Sequence, residues 1–155
     1  MTNCSILNNS AVRNGAGGLV IVFGLLELSS SIFDGNYATN GDGGGIFIKA
    51  GSQVYIKLCH FNRNQAINGG GGAIYVFGTK TLVHSYNSTY YKNSALYGGG
   101  IYLSSGNYYD NSSIILDNFV TSLGFTLSNQ SASTSTCNII GSCIYSSNFP
   151  DSYYD

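Results

Sequence analysis

The chain offers few groups with chemistry to do. It has seven carboxylates, Glu27, Asp34, Asp42, Asp110, Asp117, Asp151 and Asp155, two histidines, His60 and His84, and four cysteines, Cys4, Cys59, Cys137 and Cys143. Two carboxylates held ~5–10 Å apart would support glycoside hydrolysis. A cluster of His, Cys and acids would support a metal, but neither a CxxC pair nor paired histidines occur, so no zinc site and no cofactor are expected. Asn40-Gly41-Asp42-Gly43-Gly44 resembles one unit of a calcium β-roll, yet it never repeats at nine residues, so no metal site is read there either. Whether any two acids meet depends on the elements that carry them.

Those elements repeat. An apolar or aromatic residue, then Asn three positions on, then Ala two further, recurs as Ile6-Leu7-Asn8-Asn9-Ser10-Ala11, Phe33-Asp34-Gly35-Asn36-Tyr37-Ala38, Phe61-Asn62-Arg63-Asn64-Gln65-Ala66 and Tyr90-Tyr91-Lys92-Asn93-Ser94-Ala95. The four asparagines are separated by 27, 28 and 29 residues. Each copy leads into glycines and an apolar strand, Gly17-Gly18-Leu19-Val20-Ile21, Gly44-Gly45-Ile46-Phe47-Ile48, Gly72-Ala73-Ile74-Tyr75-Val76 and Gly99-Gly100-Ile101-Tyr102-Leu103. A further alternating stretch, Val54-Tyr55-Ile56-Lys57-Leu58, closes the better-formed units. Glycine clusters exclude a helical repeat of this length, and several short strands per unit fit one coil of an all-β solenoid, a single-stranded parallel β-helix of about four to five coils.

Coils stack about 4.8 Å apart, so like residues form columns. Asn9, Asn36, Asn64 and Asn93 are expected to form a structural amide ladder at a turn. Ala11, Ala38, Ala66 and Ala95 fit where the turn closes on the core, and the glycines allow positive φ at the next corner. Ile46 and Ile48, Ile74 and Val76, Ile101 and Leu103 share the inside, which sends Phe47, Tyr75 and Tyr102 outward as an aromatic column continued by Val20. That column is the candidate ligand-binding face, although self-stacking alone would also account for it.

In this register Asp34 lies over Asn62 and Tyr91, and Asp42 sits in a glycine corner. No carboxylate column forms, His60 and His84 lack a nucleophile at matching register, and no catalytic residue is assigned. Cys4 and Cys59 share a column with Ser31 between them; two coil spacings are about 9.6 Å, beyond the ~7 Å reach of a disulfide, so both are expected as free, buried thiols. Cys137 and Cys143 lie close enough in sequence to close a disulfide loop. Sequons stand at Asn3, Asn8, Asn87, Asn111 and Asn129, five candidate glycosylation sites.

The paired FxxN and GGA[ILV] motifs, here Phe33-Asp34-Gly35-Asn36, Phe61-Asn62-Arg63-Asn64 and Gly71-Gly72-Ala73-Ile74, resemble the polymorphic outer membrane protein repeat of chlamydial surface autotransporters. The likeness covers residues 4–104. It implies a right-handed, pectin-lyase-like β-helix, a surface or secreted location (the outer membrane if bacterial) and adhesion-like roles. Enzymes of pectin-lyase-like shape line a groove with several carboxylates, a pattern this sequence lacks.

Composition sets the outer limits. Charged residues are 8% of the chain and net charge is −1, with no basic run, which excludes nucleic acid as a partner. The longest apolar run, 19–28, is broken by Gly24 and Glu27 and is too short to span a bilayer. With no signal peptide at Met1, the chain is expected to be a fragment of a longer one. The domain expectation is a β-helix over residues 1–118, with Ile114-Ile115-Leu116 starting a fifth coil and Asp117-Asn118 at its turn. An irregular Ser/Thr/Tyr-rich cap or tail over 119–155 would follow. The leading function is a non-enzymatic structural or adhesive module, its partners being other segments of a surface protein or protein and glycan ligands. The alternatives are a carbohydrate-binding or polysaccharide-processing helix, and a filament subunit associating end to end.

Overall fold

The structure is a computed structural model that describes residues 1–121. Every regular element among them is a strand, four to a coil. The first coil holds β1 (Ser5–Leu7), β2 (Ser10–Ala11), β3 (Leu19–Val22) and β4 (Leu25–Ser29); the second holds β5 (Ile32–Asp34), β6 (Tyr37–Ala38), β7 (Ile46–Lys49) and β8 (Gln53–Lys57). The third is β9 (His60–Asn62), β10 (Gln65–Gly70), β11 (Ile74–Phe77) and β12 (Leu82–Tyr86); the fourth is β13 (Thr89–Tyr91), β14 (Ser94–Tyr97), β15 (Ile101–Leu103) and β16 (Asn107–Asn111). β17 (Ile114–Leu116) and β18 (Phe119–Val120) begin a fifth.

Each strand pairs in parallel with its equivalents one coil away, giving two five-stranded and two four-stranded sheets that run the length of a β-solenoid. The expected register holds: Phe33 opposes Phe61 and Phe61 opposes Tyr90, while Ile46, Ile74 and Ile101 lie in line. The structure differs from expectation in two places. The alanine segment is not a turn but a sheet of its own, β2-β6-β10-β14-β18, in which Ala38, Ala66 and Ala95 are buried. Pairing also passes the expected boundary after residue 118, since Phe119 and Val120 oppose Ser94 and Ala95.

Alternation of side chains places one face of each strand inside. Phe33, Phe61 and Tyr90 stack at 4.9 and 5.0 Å between ring centroids, nearly parallel, and form an inner aromatic column. Around it lie Leu28 and Ile56, Val54 and Val83, Ile46, Ile74 and Ile101, all closed to solvent. The interior is thus built by stacking ring on ring and aliphatic on aliphatic from coil to coil.

The glycines solve two different problems. Gly43 and Gly71 turn the chain at φ of +70° and +68°, where any side chain is strained. Gly44 and Gly72 instead permit close approach, because a Cβ on Gly72 would fall on Gly99 O and Ser94 N of the next coil. Two other corners per coil are left-handed without needing glycine. One is Asn8, Gly35, Arg63, Lys92 and Asp117, each just before a ladder asparagine; the other is Asn3, Ser30, Leu58, Asn87 and Ser112.

Candidate functional site

The asparagine column owes its geometry to the first of these corners. A left-handed residue before each Asn points its side chain inward, where Asn36, Asn64 and Asn93 are fully buried. Each rung repeats one pattern. Asn36 donates its backbone N–H and its amide Nδ2 to Asn64 Oδ1, at 3.1 and 2.9 Å. Asn64 donates the same pair to Asn93 Oδ1, both at 2.9 Å, and Asn9 does so to Asn36 at 3.1 and 3.0 Å. The second amide hydrogen reaches back to a strand carbonyl, as from Asn64 to Phe33 O and from Asn93 to Phe61 O, both at 2.9 Å. Asn118 adds a fifth rung, accepting from Asn93 at 2.9 and 2.8 Å. It follows Asn93 by 25 residues rather than 27–29, at the Asp117-Asn118 turn.

A parallel device occupies the second corner. Cys4 N–H donates to Ser31 Oγ, Cys59 N–H to Ser88 Oγ and Ser88 N–H to Ser113 Oγ, while Ser31 and Ser88 hydroxyls return to the carbonyl two residues back. Cys59 is a free thiol in this column and Cys4 another, half-buried rather than buried. Burial pushes the Cys59 thiol up, outweighing the opposing backbone contacts from Ser31 and Lys57. The pair Cys137 and Cys143 lies outside the described residues.

The outward aromatic column comes together as follows. Val20, Phe47, Tyr75 and Tyr102 stand in register on successive coils. Phe47 meets Tyr75 edge to face at 4.9 Å, Tyr75 and Tyr102 stack at 5.0 Å, and Lys49 Nζ lies over the Phe47 ring. Tyr102 is nearly closed to solvent. Burial raises the Tyr75 phenol, against a hydrogen bond with Ser104 and with a further upward push from Asp42. Both faces of Tyr75 are therefore occupied by neighbouring rings.

A second outward column was missed: Glu27, Tyr55, His84 and Tyr109 on β4, β8, β12 and β16. The Tyr55 and His84 rings lie 5.2 Å apart and those of His84 and Tyr109 4.9 Å apart, close to parallel. Alternation in Leu25–Ser29, Leu82–Tyr86 and Asn107–Asn111, aligned on Gln53–Lys57, was the available signal.

Among the described residues the acids do not gather. Asp34 is flanked in its column by Leu7 and Asn62 and pairs with Arg63, whose guanidinium it holds above the ordinary range. Glu27 faces Tyr55, and Asp42 Oδ1 accepts the Gly70 N–H at 2.8 Å. Asp110 occupies an inward position opposite Ser85. No group of three or more His, Cys, Asp or Glu forms a metal-sized cluster among the described residues, and no helix there is long and apolar enough to cross a membrane. Four sequon asparagines, Asn3, Asn8, Asn87 and Asn111, are exposed at corners, and Asn129 lies outside the described residues.

With this geometry in place, comparison with known proteins is specific but short. Residues 59–76 match the family model of the Chlamydia polymorphic membrane protein repeat. That segment contains β9, the Asn64 rung, β10 and nearly all of β11, so the match falls on one FxxN corner and the glycine corner after it. No curated protein and no solved structure matches the chain significantly. The chain thus carries a repeat of this type, folded as a parallel β-solenoid.

Proposed function

We propose that the chain is a non-catalytic display scaffold, a β-solenoid module of a surface or outer-membrane protein whose outer columns meet other proteins. The single observation behind this is the match over 59–76, on a segment whose structural role is to pass one coil to the next. The register supports the non-catalytic part of the reading: among the described residues, Glu27, Asp34 and Asp110 each stand in a column without a second carboxylate. Acid–base hydrolysis of a glycoside needs two carboxyl groups on one substrate.

Adhesion through the half-buried Phe47 and Tyr75, backed by Tyr102, is the finer proposal. Protein contact suits this face better than sugar stacking, because Tyr75 already packs between Phe47, edge to face, and Tyr102, stacked. The test has two arms. Antibody raised to the chain should label intact cells of the source organism without permeabilisation. The protein incubated with a panel of polysaccharides should release no reducing ends. Labelling only after permeabilisation sinks the surface assignment, and turnover of any polymer sinks the non-catalytic one.

A further inference from the structure

The interior of the solenoid changes character along its length. In the column Leu28, Ile56, Ser85, Asp110, two aliphatic residues give way to a hydroxyl and then a carboxyl. The neighbouring columns change with it, Phe33 and Phe61 to Tyr90, and Val54 and Val83 to Tyr108. The polar groups meet inside. Ser85 Oγ lies 2.8 Å from Tyr90 Oη and 3.1 Å from Ser113 Oγ, and Tyr108 Oη donates to Tyr90 Oη at 3.3 Å. Asp110 Oδ1 is out of solvent with no hydrogen-bond partner.

We propose that Asp110 is a proton-binding site in the fourth coil, and that taking up a proton fastens β16, β17 and β18 onto the coil beneath. Asp110 is half-buried, and a carboxylate with one oxygen out of solvent carries a desolvation cost that a neutral carboxyl does not. No cation relieves that cost. The chain has no Lys, Arg or His after Lys92, and the Arg63–Asp34 pair engages a different carboxylate. Among the described residues, the titratable groups facing Asp110 are the phenols of Tyr90 on β13 and Tyr108 on its own strand, both held above their ordinary range by burial and so neutral wherever a carboxyl titrates. Ser85 of β12 and Ser113 supply hydroxyls. Desolvation raises the Asp110 carboxyl, and the polar groups of Ser113, Ser85 and the Asn111 backbone around it offset only part of that push.

The sign follows from linkage. A carboxyl whose folded pKa is raised contributes stability that is complete below its unfolded value and is lost as pH rises through the folded value. The reacting event is a single protonation, with the proton drawn from solvent and the new O–H facing the Ser85 and Ser113 oxygens. The coil it fastens is read by the amides of Ile114, Phe119 and Thr121, which donate to Ser88, Asn93 and Ala95 of the coil beneath.

Hydrogen exchange of the full chain tests this from about pH 4 to about pH 8. Protection of these three amides is expressed relative to Gln65, which donates to Asn36 in a coil away from the site. In the native sequence the relative protection should fall by up to about tenfold per pH unit across the titration, the slope of one proton. D110N should give a flat profile. D110L, which continues the column begun by Leu28 and Ile56, should be flat and better protected at neutral pH. A flat native profile, or the same slope surviving in both variants, overturns the proposal.

Discussion

Replacing Asn64 by alanine removes the middle of the amide ladder, and its cost can be worked rung by rung. Asn64 Oδ1 is the shared acceptor for the Asn36 backbone N–H and one Asn36 amide hydrogen. Asn36 is fully buried, so both donors are left without water as a substitute. A buried donor stripped of its partner costs about 1–3 kcal/mol, and two of them cost about 2–6 kcal/mol. The bonds that Asn64 Nδ2 makes to Phe33 O and Asn93 Oδ1 are lost as well. Against a typical total of about 5–15 kcal/mol, that is a large fraction of the fold's stability. Asn9→Ala is the control. Asn9 is exposed, and Asn36 Oδ1 keeps the Asn9 backbone N–H when the side chain goes, so the loss should stay under about 1 kcal/mol. Urea unfolding followed by the β-sheet circular dichroism band compares the two. Equal midpoints for Asn64→Ala and Asn9→Ala would refute the reasoning, since both remove the same group and differ only in burial and partners.

Gly72→Ala should destabilise by about 1–3 kcal/mol or more, as overpacking does, because its Cβ would collide with the Gly99 carbonyl; a stabilised variant in thermal unfolding would contradict the close approach. Alkylation of the native protein with iodoacetamide, mapped by peptide mass, should modify Cys4 and spare Cys59, whose thiol is buried and pushed up. Labelling of Cys59 before unfolding would count against the interior assigned to it. In a tyrosinate absorbance titration, Tyr90 and Tyr108 should stay silent until the fold opens, being raised by burial. Their contribution to stability is complete below the unfolded tyrosine range and lost as pH rises through the folded one, so Tyr90→Phe should resist alkaline unfolding better than the native chain.

The sequence was most legible where residue type and spacing carry the same message. FxxN followed by glycines and an alternating apolar strand gave the register, because a column forces equivalent positions to be alike, and Phe33, Phe61 and Tyr90 do fall in line. The alanine strand escaped notice since two paired residues, such as Tyr37 and Ala38, are too few to show alternation. Asn118 was legible as a turn residue, but its 25-residue spacing from Asn93 kept it out of the expected ladder. The polar interior was illegible for a different reason. Ser85 and Asp110 are residue types found mostly at surfaces, and hydrogen bonding such as that of Ser85 with Tyr90 lets a polar side chain lie inside. In Asn107–Asn111 the alternation survives in geometry while the residue types conceal it, with Tyr108 and Asp110 inward and Tyr109 outward. The ring stack of Tyr55, His84 and Tyr109 went unread with it.

The in-register stacking of coils can be put to one direct measurement, a disulfide trap in the full chain mapped by peptide mass after mild oxidation. Tyr37 and Gln65 are partners on adjacent coils, about 4.8 Å apart, while Ser10 lies one coil further. Cysteines introduced by Tyr37→Cys and Gln65→Cys should join within one folded monomer, and those from Ser10→Cys and Gln65→Cys should not. If the second pair joins as readily as the first, or the first fails to join in folded protein, the coils are not stacked in this register.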